Sequence, residues 1–144
     1  MADLFSTETA GLLSRPVVKP SAGAYGASYR RYRASITLAA QTTADNILLA
    51  IAPAGSIFAG GVITASVSLG TSVIAIGTSQ VHATNGQLRA AGTFTVVDTP
   101  TNFGLTSAMS QAALSADTRL YLTIATANLP GAGTLVVDLY YTNA

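Results

Sequence analysis

The residues able to do chemistry in this chain are few and far apart. Its 144 residues contain one histidine, no cysteine and no tryptophan. The histidine, His82, sits in the polar run Ser79-Gln80-Val81-His82-Ala83-Thr84. Nucleophilic catalysis needs a positioned base. A Ser-His-Asp set can be written on paper with Asp98 or Asp138, but no Gly-x-Ser-x-Gly elbow supports it. His82 therefore reads as a surface or hydrogen-bonding histidine. Glycoside chemistry needs two acids in one cleft. After Arg33 the chain offers only Asp45, Asp98, Asp117 and Asp138, no glutamate, and no two acids close in sequence. Such aspartates belong to turns and strand ends. One histidine without cysteine or an EF-hand loop makes no metal site. Ala59-Gly60-Gly61 lacks the Lys-Ser/Thr that completes a phosphate loop. The expectation is a protein with no catalytic residues, no metal and no cofactor.

The most distinctive stretch runs from Tyr25 to Arg33 and places three arginines and three tyrosines within nine residues. Basic residues interleaved with aromatics bind nucleic acid. The same residue types are enriched in protein–protein hot spots, and an ordinary first strand with solvated arginines reads the same way. A dedicated nucleic-acid binder is far more basic than this chain, whose net charge is +1, so protein contact is the preferred reading.

Charge is scarce as well as balanced. Only 9% of residues are charged and 49% are hydrophobic, against about 25% charged in ordinary soluble domains. What charge there is lies unevenly. Residues 1–33 carry five basic groups against Asp3 and Glu8; residues 34–144 carry Arg89 and Arg119 against the four aspartates. A nearly charge-free body either covers its surface with small polar residues or buries it against partners. Apolar runs such as Ile47 to Ala52 are far shorter than the about 20 residues that a membrane-spanning helix needs. The first residues show no basic region followed by an apolar stretch, so a signal peptide is not expected.

These side chains must be positioned by strands. Tyr32, Ala34, Ile36 and Leu38 share one face of a strand over Arg31–Leu38. Asn46–Ala52 is a short apolar strand, and Pro53-Ala54-Gly55 turns the chain. Val62–Leu69 alternates and connects tightly through Gly70-Thr71 to Ser72–Gly77. Asn85-Gly86 signals a turn. Gly92–Asp98 places Phe94 and Val96 together. Arg119–Thr126 sets Leu120, Leu122 and Ile124 against Tyr121, Thr123 and Ala125. Pro130 to Gly133 turns into a last strand with Leu135, Val137, Leu139 and Tyr141 on one face. Ser107–Ala116 reads as helix or loop. The class is all-β: an antiparallel β-sandwich, jelly roll or small barrel of about eight strands over residues 30–144.

Residues 1–29 read differently, as an N-terminal arm. Asp3 to Ser14 suits a short helix with Leu4, Phe5, Leu12 and Leu13 apolar. Pro16 and Pro20 extend the chain from Arg15 onward. Ordering such an arm costs about 1–2 kcal/mol per residue, and its few apolar side chains return about 1.5–3 kcal/mol each. The apolar gain falls short. The arm is then unordered in the free protein, packed on its own domain, or ordered by adding a strand to a neighbour's sheet edge. The contact candidates are Leu4, Phe5, Leu12, Leu13, Arg15, Lys19, Tyr25, Tyr29, Arg30, Arg31 and Arg33.

The run Ala54 to Leu69 followed by Thr71 to Thr78, and the ending Arg119 to Pro130 with Gly133 to Tyr141, resemble small virion proteins of tailed bacteriophages, namely capsid decoration or cement proteins. The resemblance covers roughly residues 30–144 and lies in the style of strand and turn. It implies a sandwich or jelly roll on the outside of a capsid, assembled in the host cytoplasm. There it would be a dimer or trimer bridging major capsid protein subunits. A tail, neck or fibre component is the nearest alternative. A carbohydrate-binding sandwich is a further one, although Trp is absent and Tyr140 and Tyr141 alternate faces.

Overall fold

The computed structural model describes residues 28–143. Within them lie β1 (Tyr29–Thr37), β2 (Asn46–Ala52), β3 (Ser56–Ala65), β4 (Val73–Gly77), β5 (Arg89–Thr93), β6 (Thr101–Phe103), β7 (Thr118–Ala125) and β8 (Thr134–Asn143). A 3₁₀ turn (His82–Thr84) and a one-turn helix α1 (Thr106–Met109) complete them. The first sheet has the order β1-β8-β3-β6 and the second β2-β7-β4-β5. All pairings are antiparallel. In the pairs β1·β8, β2·β7, β3·β6 and β4·β5 the strand numbers always add to nine. One long hairpin, folded over and shared between two layers, produces that rule. The architecture is a jelly-roll sandwich, with two open sheets in place of the barrel alternative.

The core fills the space between the sheets. Strand side chains alternate in direction, and on β8 this buries Leu135, Val137, Leu139 and Tyr141, as the sequence pattern predicts. The same cluster takes in Ile36 and Leu38 beside β1, Phe58 and Ile63 on β3, Ile74 and Ile76 on β4, and Leu120, Leu122 and Ile124 on β7. Each such burial contributes about 1.5–3 kcal/mol.

β3 and β5 differ from the sequence pattern. β3 begins at Ser56, not Val62, and ends at Ala65. A bulge between Phe58 and Gly60 shifts its register against β8, which breaks the alternation that marks a strand. Gly60 takes a φ of 123°, open to glycine, and a Cβ on Gly61 would stand 2.3 Å from the Phe103 ring. The fifth strand is Arg89–Thr93, not Gly92–Asp98. Phe94 is buried but Val96 is 42% exposed, so the two do not share a face. The chain leaves the sheet there because the Phe94 carbonyl accepts from Leu69 N–H and Asp98 N–H donates to Ala65, tying it to the β3–β4 connection. Finally, Ser107–Ala116, read as helix or loop, is both: Ser107–Met109 are three of the four residues of α1. Beyond it the chain is irregular and fastened to β3, with Leu114 N–H donating to the Ser56 carbonyl and the Leu114 carbonyl accepting from Gly55 N–H.

Candidate interaction face

β1 is an edge strand of the first sheet. Its pleat divides the arginine–tyrosine stretch. Tyr29, Arg31 and Arg33 point outward, opposite Thr142, Tyr140 and Asp138 of β8. Tyr32 points inward, and its ring meets Tyr141 edge to face at 6.1 Å, while Tyr141 meets Phe58 at 5.4 Å. Burial, with Tyr32 nearby, pushes the Tyr141 hydroxyl up to about 12, so it stays protonated. Arg30 is exposed and shares the parity of Tyr32. The candidates thus split, with Tyr29, Arg31 and Arg33 brought together and Arg30 set apart. Leu4, Phe5, Leu12, Leu13, Arg15, Lys19 and Tyr25 lie outside the described residues.

The outward arginines do different work. Arg33 forks onto Asp138, with Nε and one Nη each 2.8 Å from a carboxylate oxygen. The Arg33 side chain keeps half its surface exposed, whereas Asp138 is nearly buried. The hydrogen bonds from Arg33 hold the Asp138 carboxyl below its ordinary range, against desolvation, with the charges of Arg33 and Arg31 adding to the effect. Arg31 and Arg30 are exposed and form no ion pair among the described residues.

An open groove of about 590 Å³ crosses this outer face. It starts at Tyr29, passes Tyr140, Gly60 and Val62, and ends at Asn102 and Met109 beside α1. The Tyr29 and Tyr140 rings meet at 6.2 Å and 62°. They present an edge and a face, not the flat platform a sugar ring stacks on. The bare backbone at Gly60 and Gly61 forms its floor.

The outer face of the second sheet is built otherwise. The β4–β5 connection folds over β7 and is held by Asn85, whose Nδ2 lies 3.1 Å from the Ala75 carbonyl, 3.2 Å from that of Tyr121 and 3.0 Å from Thr123 Oγ1. His82 Nδ1 stands 3.0 Å from the same Thr123 hydroxyl. This cover explains why β7 is buried on both faces, including Tyr121 and Thr123. His82 is therefore a hydrogen-bonding histidine, as its sequence context suggests. Three of the four described aspartates are likewise occupied: Asp45 closes a turn onto Thr42 N–H, Asp117 accepts from Ala54 N–H, and Asp138 pairs with Arg33. Beside the cover, a bulge in edge strand β2 turns both Leu48 and Ile51 outward, opposite Tyr121 and Arg119. Each is 48% exposed.

Sequence reasoning missed Asp138, Asn102, Met109 and the outward Leu48–Ile51 pair. Alternation alone separates Tyr140 from Tyr141, but register was needed to set Tyr140 beside Tyr29.

The described residues form a small jelly roll with an open groove across its first sheet. No protein-family model matches the chain, and no curated protein sequence matches it. Two solved structures share its fold. A chain of the cyanophage Pam1 capsid asymmetric unit superposes with a TM-score of 0.68 at 17% identity, covering 96% of this chain and 100% of that one. A chain of the capsid of Ralstonia phage GP4 superposes with a TM-score of 0.61 at 16% identity, covering 82% of this chain and 84% of that one.

Proposed function

We propose that this chain is a structural protein of a phage virion that binds the outer surface of the capsid and stabilises it by bridging major capsid subunits. The observation that carries the reading is the full-length likeness to a chain of a phage capsid's repeating unit. All of that chain is matched, so such a jelly roll stands there as a polypeptide of its own. The described histidine and three of its four aspartates hold loops and strands together, which suits a molecule that works through surface and not through catalysis. Arg31 and Tyr29 on β1, with the N-terminal arm, supply the capsid contacts. Arginine and tyrosine anchor interfaces because they bury large area and still satisfy their polar ends. The outward Leu48 and Ile51 on a free edge suit self-association into a dimer or trimer. Repetition over a shell then adds many weak contacts through multivalency.

The test is copy number and location in purified particles of the phage that encodes this chain. Quantitative mass spectrometry is expected to find it near the abundance of the major capsid protein, and imaging to place it on the head exterior. A few copies per particle at the tail or neck overturns the reading in favour of a tail component.

A further inference from the structure

The outer groove of the first sheet begins where the described chain begins. Tyr29 lines it, and residues 1–27 precede Tyr29 with only Ser28 between. The lining is uncharged and aromatic on a glycine floor, with Asn102 and two tyrosine hydroxyls as polar points. Such a surface fits an extended proline-bearing segment. Proline pre-pays the ordering entropy, its ring packs against aromatics, and the free carbonyls of a polyproline II chain accept hydrogen bonds. The preceding sequence holds one such segment, Arg15-Pro16-Val17-Val18-Lys19-Pro20.

We propose that Arg15–Pro20 docks in the outer groove of its own chain. The dimensions agree. Six residues in polyproline II geometry span about 19 Å, and a groove across four strands spans about 14 Å. Residues 21–28 join the segment to Tyr29 and contain Gly23 and Gly26, which let the chain reverse. A link this short gives the docked segment an effective concentration in the mM range, enough for a modest groove to hold it. Arg15 and Lys19 flank the prolines and can lie over the tyrosine faces, where a cation is attracted to the ring. Docking here leaves Leu4, Phe5, Leu12 and Leu13 as the projecting part of the arm. Docking belongs to the isolated chain; where Tyr29 meets a capsid, as under the proposed function, the segment must leave the tyrosine end of the groove.

The chain has no cysteine, so a nitroxide on Ser14→Cys reports from one site in the full-length protein. The amides of Gly60, Asn102 and Gly104 are expected to lose most of their NMR intensity, while Val81, on the cover of the second sheet, is unaffected. Met109→Arg places a like charge at the exposed rim of the groove and is expected to restore the lost intensity, as is the double variant Pro16→Gly/Pro20→Gly. Mixing labelled, isotope-free chains with isotope-enriched, unlabelled ones separates the source. No broadening in the mixture supports docking within one chain. Broadening there at the same amides overturns it in favour of a second copy's segment. Broadening that only fades with distance from Tyr29, unchanged by Met109→Arg, overturns the groove altogether.

Discussion

Gly61 shows how one missing side chain positions a strand. A Cβ there would lie 2.3–2.7 Å from three atoms of the Phe103 ring, and Phe103 is one of only three residues in β6. Overpacking of this kind costs about 1–3 kcal/mol. Gly61→Ala is expected to lower the melting temperature, and the penalty should shrink in a Phe103→Ala background, a coupling that a double-mutant cycle reads directly. Asp138 makes a second residue-scale case. Its folded pKa is depressed, so the pair with Arg33 stabilises the fold above the ordinary carboxylate range and is lost as pH falls through the lowered value. Thermal melts from neutral pH down to about pH 2 should show stability falling below about pH 4, with a shallower fall for Asp138→Asn. An unchanged slope in that variant would remove Asp138 from the account. Neither feature was legible in the sequence. Gly61 entered the sequence reading only as part of a run too incomplete for a phosphate loop, and an aspartate in a mid-strand position gains its meaning only from a partner 105 positions away.

At the scale of elements, strands with clean alternation and clear turns on either side were read almost to the residue. β8 is of this kind, because burial of one face and period two are the same fact seen twice; β2 was read instead from its short apolar run before Pro53-Ala54-Gly55, although its own bulge breaks the alternation. The strands that were misplaced are those where backbone geometry overrides the period. β3 carries a bulge at Ala59, β4 pairs with β5 through another, and β6 is too short to show a period. β7 exposed a different limit: its outward residues are covered by a connection whose path no local pattern reveals. That cover depends on Asn85. Asn85→Ala leaves the Thr123 hydroxyl and the Ala75 and Tyr121 carbonyls short of a donor in a buried place, which costs about 1–3 kcal/mol. The loss should appear as faster amide hydrogen exchange across residues 78–88 before global unfolding. His82→Ala removes one contact to Thr123 and should have the smaller effect. Equal exchange in wild type and Asn85→Ala would show that the connection is held by something else.

The sequence joins a nearly charge-free body to a chemically different leading segment. The change of character at about residue 30 was visible in charge, proline and periodicity. From Arg31 onward alternation had already set Arg31 and Arg33 opposite Tyr32; what was not visible is that the strand begins at Tyr29 and so takes in Tyr29 and Arg30 as well. Residues 28–143 hold both sheets and a single core cluster, so a chain lacking residues 1–27 should still unfold cooperatively and keep its β-sheet circular dichroism. Under the proposed function it should bind particles much less well, because the apolar Leu4, Phe5, Leu12 and Leu13 are gone while the body's few charges provide little long-range attraction. For the same reason, binding of the intact chain should weaken by less than about tenfold between roughly 50 and 500 mM salt, where the screening length falls well below 10 Å. A steep salt dependence would instead make Arg15, Lys19, Arg30 and Arg31 the source of affinity. Truncated protein that sediments with particles as fully as the intact chain would assign the contact to the body alone, through Tyr29 and Arg31 or through Leu48 and Ile51. Substituting each pair in turn, Tyr29→Ser with Arg31→Ser and Leu48→Lys with Ile51→Lys, then identifies which outer face of the jelly roll meets the shell.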